Sequence, residues 1–286
     1  EIVSERRRYE ERIRALFREG RELSEFRSDL DENVAALLFL SAANWAYTWL
    51  KGGADTDALA DRFGEQPEKR RVPERLVHRL PATRPLEPAA LLEPAACVAS
   101  GLLEAGMPLP GMRVAVVGDG PLGLLALLLL RTTAPAELML VGGRPARSAF
   151  GPRCGATGVV AAGDQAGLAD LAGRFDAVVE ATNQPSGAAT ALGLLRRGGT
   201  AVLLGISGAG QPAIDPDVVA LNQLRVQGGF AASRAAWRWV TRLYAEGTLD
   251  PAPLVTHRFG LDEVDAAFAA LTGPDGDAVK VLVRPR

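Results

Sequence analysis

The first 65 residues carry apolar positions at the spacing of amphipathic helices. In a first, strongly charged segment, four apolar side chains fall on one helical face: Tyr9, Ile13, Leu16 and Phe17. A second helix is predicted to begin near Asp31, to continue to Trp49 and to end at Gly52. This second helix is apolar nearly all round, so we expect it to pack against a partner subunit or against the rest of the chain.

Residues 66–73 are charged and bounded by prolines, which indicates a linker between two domains, 1–65 and 74–286. Beyond the linker, apolar blocks of strand length alternate with blocks of helix length. The predicted elements are a short strand at 74–80, a helix at 94–105, strands at 113–117, 137–141, 158–161, 176–181 and 200–205, and helices at 122–132 and 186–196. This alternation predicts an α/β fold, with a doubly wound parallel sheet preceded by a small all-helical segment.

The strand at 113–117 leads through a glycine-rich turn into an apolar helix. The turn has the spacing of a dinucleotide-binding fingerprint, with Gly118 for the tight turn, Gly120 for close approach of a pyrophosphate and Gly123 for helix–strand packing. The helix that begins with Pro121 and Leu122 offers N–H groups and a positive dipole end to phosphates. The sequence therefore predicts a Rossmann sheet that binds a dinucleotide. The alternative is an α/β crossover that has no ligand.

The end of the second predicted strand indicates which dinucleotide is bound. NAD enzymes place an Asp or Glu there to bond the ribose 2′-OH, but the segment 140–147 has no carboxylate. Instead, Gly143 is followed by Arg144 and Arg147, and two guanidinium groups suit a 2′-phosphate. We therefore expect NADP(H) to be preferred over NAD(H). The alternative is that both arginines are solvated surface residues.

The order of motifs in 75–286 resembles the medium-chain alcohol dehydrogenase superfamily, in its zinc-dependent polyol and threonine dehydrogenase-like branch. The motifs are LLEPAACV at 91–98, GDGPLG at 118–123, DAVVEAT at 176–182, RGGTAVLLG at 197–205 and KVLV at 280–283. The resemblance implies hydride transfer between a nicotinamide cofactor and an alcohol or carbonyl compound. By analogy with this fold, Thr182, Gly205 and Ser207 would face the ribose and the nicotinamide.

The family's zinc-binding N-terminal domain has no counterpart before Glu74, so we expect no zinc. A catalytic zinc needs about three protein ligands, and the candidates show no ligand spacing: His78, His257, Cys97, Cys154 and the carboxylates. The resemblance places Glu93 near zinc in some members, whereas its position before Pro94 predicts a helix cap. The sequence identifies no catalytic residue.

The absence of that domain also leaves the predicted strands near 256–261 and 279–283 without their usual sheet. Three partners are open: the predicted strand at 74–80, another subunit, or the first helices.

The first 65 residues resemble the end of the C-terminal regulatory domain of TetR-family repressors. The matching positions are 6–13, 17–20, 25–27, 31 and 44–49. The last two long helices form a dimer interface in that family, so the resemblance implies a homodimer. The DNA-reading helices of the family are absent from the sequence and the formal net charge is −2, so we expect no nucleic-acid partner.

The sequence also bears on cellular location and activity. The chain shows no secretory signal, and its apolar run at 122–130 is too short to span a membrane. Its two cysteines fit a reducing compartment. We therefore expect a cytoplasmic protein without a membrane partner. The favoured function is that of an NADP-dependent oxidoreductase, with turnover left open. The alternatives are a non-catalytic dimeric nucleotide-binding module and an inactive gene fusion.

Overall fold

The structure is a computed structural model of the 286-residue chain. It describes residues 15, 18, 78–106, 108–207, 214–260, 263–272 and 277–284. The chain divides into two compact units, Glu1–Arg75 and Leu76–Arg286. In the first unit Ala15 and Arg18 are helical; the remaining predictions for 1–65, and the linker, lie outside the described residues. The elements described below all belong to the second unit.

The second unit alternates strands and helices. The strands are β1 (Arg113–Val117), β2 (Glu137–Gly142), β3 (Gly158–Ala161), β4 (Phe175–Glu180), β5 (Leu195–Leu203), β6 (Arg225–Gly228), β7 (Val255–Gly260) and β8 (Lys280–Arg284). The helices are α1 (Leu86–Ala89), α2 (Leu92–Glu104), α3 (Pro121–Leu130), α4 (Pro145–Ser148), α5 (Gly151–Cys154), α6 (Gln165–Asp170), α7 (Gly187–Leu194), α8 (Pro216–Leu221), α9 (Arg234–Glu246) and α10 (Val264–Thr272). Short 3-10 turns occupy Arg131–Thr133 and Ala252–Leu254.

Six strands form one parallel sheet in the order β3-β2-β1-β4-β5-β6. Alternate residues of each strand face opposite sides, so the sheet has two cores. On one side, Val114 and Val116 of β1 pack in a cluster with buried residues of α2, α3 and α9. On the other side, Ala115 and Val117 pack in a cluster that includes buried residues of α7. Helices on both faces of a parallel sheet confirm the predicted doubly wound fold.

Most predicted elements lie within a few residues of the observed ones, but three differ. Residues 78–80 are not a strand, so the strand predicted at 74–80 is wrong in its described part. Helix α2 begins at Leu92, two residues before Pro94, and no side chain caps it. Glu93 is therefore in the first turn rather than at the cap, where its charge still favours the helix dipole. Strand β5 begins at Leu195, within the predicted helix at 186–196.

Strands β7 and β8 pair with each other in parallel, which is none of the three partners left open by the sequence. Helix α10 provides the crossover that a parallel pair requires. Glu87 of α1 ties the pair to the rest of the unit: its carboxylate accepts from Arg258 of β7 at 2.6 Å and also from Arg284 of β8. Among the described residues, no helix combines the length and the apolar character needed to cross a membrane.

Asp176 joins three strands at the amino-terminal edge of the sheet. Its carboxylate accepts from the backbone N–H of Arg113 on β1 at 2.8 Å and from the guanidinium of Arg196 on β5 at 2.6 Å. Burial alone would raise the pKa of Asp176, but these hydrogen bonds and the two positive charges outweigh burial, and the pKa lies below its usual range. The ionised form is therefore the one that stabilises this edge.

We expect Asp176→Asn to lower the free energy of unfolding by about 1 kcal/mol at pH 7, because the charged hydrogen bonds weaken. A pKa lowered by folding contributes stability above the unfolded pKa and loses it as the pH falls through the folded value. The difference from wild type should thus shrink as the pH falls through the lowered folded pKa of Asp176. Urea unfolding at several pH values measures it, with the exposed Asp170→Asn as the charge-matched control. A constant difference at all pH values would contradict this account.

Candidate functional site

The candidate site lies at the carboxyl ends of the strands, between β1 and β4, where the strand order reverses. Backbone hydrogen bonds hold the loops that leave neighbouring strands. Gly118 N–H donates to the carbonyl of Val141 at 2.8 Å, and Ala181 N–H donates to the carbonyl of Val117 at 2.8 Å. The first residues after β1 and β4 are therefore fixed to the ends of the neighbouring strands at the top of the sheet.

Gly118 and Gly123 are required by close backbone approaches. Gly118 has a φ of +120°, and a Cβ there would lie 2.9 Å from the carbonyl carbon of Ala181. A Cβ on Gly123 would lie 1.8 Å from the carbonyl oxygen of Gly118. No side chain fits at that distance, so α3 begins directly against the end of β1, as the glycine spacing predicts.

Gly120 has the opposite environment. It is the N-cap of α3, and a Cβ on it would meet no atom of the described residues within 4 Å. Pro121 follows as the first helical residue, and no side chain caps the helix. The N–H groups of Leu122 and Gly123 therefore lie in an uncapped first turn beside open space. A helix start of this kind suits a phosphate group.

Glu180, which the sequence analysis did not single out, organises the loops after β4 and β5. Its side chain is 4% exposed. One carboxylate oxygen accepts from the backbone N–H of Thr182 at 2.7 Å and from its hydroxyl at 2.5 Å, and the other accepts from Gly205 N–H at 3.2 Å. A Cβ on Gly205 would lie 1.8 Å from the carbonyl oxygen of Thr182. Thr182 and Gly205 are thus held side by side.

Asp119 is the second carboxylate that sequence reasoning missed. It lies within the glycine-rich turn and is 7% exposed. Its Oδ2 accepts from the backbone N–H of Arg144 and from the hydroxyl of Ser148, both at 2.7 Å. The segment 140–147 itself contains no carboxylate, but Asp119 brings one to the end of β2 from the loop after β1.

The two arginines lie just beyond that carboxylate. Arg144 is exposed and is the N-cap of α4, and Arg147 is half-buried in the same short helix. Burial and the positive charge of Arg144 lower the pKa of Arg147, while the negative charges of Asp119 and Asp277 oppose the shift. The Nε of Arg147 is buried and has no hydrogen-bond partner in the part of the chain that the structure describes.

Two other predicted site residues lie close to the ends of their strands. Gly143 is exposed directly after β2, and a Cβ on it would meet no atom within 4 Å. Ser207 is partly exposed and lies four residues beyond the end of β5. Near Gly143, the helix that follows β2 is broken into α4 and α5, and α5 begins at Gly151 with Pro152 in its first turn. The Gly151-Pro152 pair thus coincides with the break between the two short helices.

The described residues do not fit a zinc site. No group of three or more His, Cys, Asp or Glu side chains among them could hold a metal ion. The thiol of Cys97 donates to Glu93 at 3.4 Å, and burial together with that carboxylate raises its pKa to about 12. Burial raises the pKa of Cys154 to about 11. His78 stacks on Trp237 and His257 contacts Thr256, so the four candidates from the sequence are dispersed.

The strand order and the glycine-rich turn are those of a Rossmann domain. Residues 86–284 match the family described as glucose dehydrogenase C-terminus, and the chain belongs to that family. Residues 1–66 match the family described as tetracyclin repressor-like, C-terminal domain. Both resemblances drawn from the sequence are thereby confirmed.

Individual relatives agree with this assignment. The chain is 28% identical over 205 residues to the uncharacterized zinc-type alcohol dehydrogenase-like protein YdjL of Escherichia coli, covering 69% of this chain and 56% of YdjL. It is 26% identical over 239 residues to L-threonine 3-dehydrogenase of Bacillus licheniformis, covering 82% of this chain and 66% of that enzyme. The chain thus spans less than two thirds of either relative.

A solved structure shows the same fold. A provisionally assigned zinc-binding dehydrogenase from Sinorhizobium meliloti, determined bound to NADP, aligns with a TM-score of 0.68 at 27% identity. The alignment covers 75% of this chain and 64% of that protein.

The glycines of the turn should respond differently to the same substitution. We expect Gly123→Ala to lower the free energy of unfolding by more than about 3 kcal/mol, because its Cβ would overlap the carbonyl of Gly118. Gly120→Ala should cost less than about 1 kcal/mol, because its Cβ enters open space at an extended N-cap. Thermal and urea unfolding of both variants measure this, and equal destabilisation would contradict the described geometry.

Proposed function

We propose that this chain binds a nicotinamide dinucleotide in the crevice between β1 and β4, with NADP(H) preferred over NAD(H). The observation that carries the proposal is the uncapped start of α3 at Gly120, which faces open space at the point where the strand order reverses. The chain's family and the NADP bound by the S. meliloti relative support the same cofactor class.

Each predicted site residue receives a role in this proposal. Five residues would hold the pyrophosphate through backbone groups: Gly118, Gly120, Pro121, Leu122 and Gly123. Gly143, Arg144 and Arg147 would bind the 2′-phosphate, since guanidinium groups bind phosphate oxygens in a charge-assisted fork. Thr182, Gly205 and Ser207 would line the ribose and nicotinamide side of the crevice, with Thr182 and Gly205 held there by Glu180.

When bound, the nicotinamide supplies hydride transfer, and the chain's relatives include an alcohol dehydrogenase-like protein and an L-threonine 3-dehydrogenase. We therefore place the chain among oxidoreductases that act between an alcohol and its carbonyl compound. In this proposal the residues of the crevice bind the cofactor and orient it. They do not form a zinc site, so no step of alcohol activation is assigned to them.

Titration calorimetry of the purified full chain tests the proposed cofactor. We expect NADPH to bind at least about 10-fold more tightly than NADH, because a bidentate charged contact to the 2′-phosphate contributes more than about 1.4 kcal/mol. Gly120→Ala should weaken the binding of both nucleotides alike, because its Cβ would occupy the space of the pyrophosphate. Absence of binding by either nucleotide would overturn the proposal. Tighter binding of NADH would overturn the preference.

The double variant Arg144→Ala, Arg147→Ala separates the phosphate role from surface charge. It should lower NADPH affinity about 10-fold or more and leave NADH affinity within about 2-fold of wild type. The control is Arg153→Ala, Arg238→Ala, which removes the same charge from exposed positions. Unchanged NADPH affinity in the first variant, or an equal loss in the control, would remove the phosphate role of the two arginines.

A second candidate function rests on the match of residues 1–66 to the repressor-like C-terminal domain. In this proposal those residues form a homodimer, no nucleic acid is bound, and the nucleotide changes assembly without turnover. Sedimentation velocity at decreasing concentrations should show a dimer that resists dilution, because an all-round apolar helix needs a partner surface. A monomer at all concentrations would contradict the dimer. NADPH oxidation with any carbonyl compound would favour the oxidoreductase.

A further inference from the structure

The carboxylate of Asp119 connects two parts of the candidate site that are 25 residues apart in sequence. Asp119 itself stands between the first two glycines of the turn. Both hydrogen bonds described for its Oδ2 come from the segment after β2, one from the backbone of Arg144 and one from the hydroxyl of Ser148. The side that would bind the pyrophosphate is thus joined directly to the side that carries the arginines.

The segment 142–148 depends on this connection because its own structure is weak. It begins with two glycines, and α4 is a single four-residue turn that is separated from α5. No side chain caps α4, whose N-cap is Arg144. The packing around the carboxylate is closed: a Cβ on Gly142 would lie 2.9 Å from Asp119 Oδ2 and 1.9 Å from the hydroxyl oxygen of Ser148.

The environment of Asp119 also distinguishes it from a ribose-binding carboxylate. An Asp at the end of β2 favours NAD when its oxygens are free to accept from the 2′-hydroxyl. Here the side chain is 7% exposed, and Oδ2 already accepts two hydrogen bonds at 2.7 Å. This Oδ2 therefore holds the protein's own groups rather than a ligand.

We propose that Asp119 is a positioning residue that sets the cofactor preference of the site. It fixes the segment 142–148 so that Arg144 and Arg147 are presented to the 2′-phosphate, and its Oδ2 accepts from Arg144 and Ser148 instead of from the ribose. This inference rests on the proposed function. It adds that the arginines alone do not determine the preference, because their placement requires a carboxylate from the glycine-rich turn.

Two substitutions of Asp119 separate position from charge. Asp119→Ala removes both hydrogen bonds, whereas the amide oxygen of Asp119→Asn can still accept them. Asp170→Ala, which removes an exposed carboxylate from the end of α6, is the control. All three are compared with wild type as the full chain. The readouts are NADPH and NADH affinities by calorimetry, and hydrogen–deuterium exchange of the peptide spanning 142–148 without nucleotide.

We expect Asp119→Ala to bind NADPH about 10-fold more weakly than wild type, because a charged hydrogen bond is lost. Its NADH affinity should stay within about 2-fold of wild type. Exchange in 142–148 should rise about 10-fold in the same variant, since its protecting bonds are gone. Asp119→Asn should fall between wild type and Asp119→Ala in both readouts, because its amide oxygen still accepts both hydrogen bonds but lacks the charge. Asp170→Ala should match wild type.

Each of the following results would overturn the proposal. An equal loss of affinity for both nucleotides in Asp119→Ala would indicate a general structural role. Selective loss of NADH affinity in Asp119→Asn would show that the carboxylate binds the ribose. Unchanged exchange in 142–148 of Asp119→Ala would show that it does not hold the segment. A wild-type chain that binds neither nucleotide would overturn the proposed function and this inference together. An Asp119→Ala variant that keeps the wild-type preference overturns only the inference.

Discussion

The contact between Gly123 and the carbonyl of Gly118 constrains everything around the crevice. A Cβ at Gly123 would lie 1.8 Å from that oxygen, so the strand and the helix meet with no side chain between them. The helix cannot move away to relieve the contact, because its residues from Gly123 to Leu130 are all buried. Strand, turn and helix therefore form one rigid unit. Its exposed surface is the uncapped helix start that the rest of the crevice surrounds.

Two buried carboxylates extend this rigidity sideways along the top of the sheet. Asp119 links the turn after β1 to the segment after β2, and Glu180 links the loop after β4 to the one after β5. Both accept charge-assisted hydrogen bonds from backbone N–H groups in surroundings that exclude most water, where such bonds are strong. The loops that would contact a ligand are therefore positioned before one arrives. This reduces the ordering that binding would otherwise require.

The sequence predicted the sheet and the glycine-rich turn because both depend on local patterns. Val-rich strands, helix-length apolar blocks and three glycines at fixed spacing are visible within short windows. It did not predict β6, where Val226 is flanked by Arg225 and Gln227 and no long apolar run marks the strand. Asp119 was missed because its partners are 25 and 29 residues away, and long-range contacts of that kind have no local signature. The mutual pairing of β7 and β8 was missed for the same reason.

The state of the two thiols has a practical consequence. With pKa values of about 12 and about 11, Cys97 and Cys154 remain protonated at neutral pH, and a protonated thiol is a poor nucleophile. Maleimide and iodoacetamide reagents should therefore leave both native cysteines largely unmodified in the folded protein. A single cysteine introduced on an exposed surface could carry a fluorophore or spin label without prior removal of the native pair. The crevice can then be followed by spectroscopy with its packing left intact.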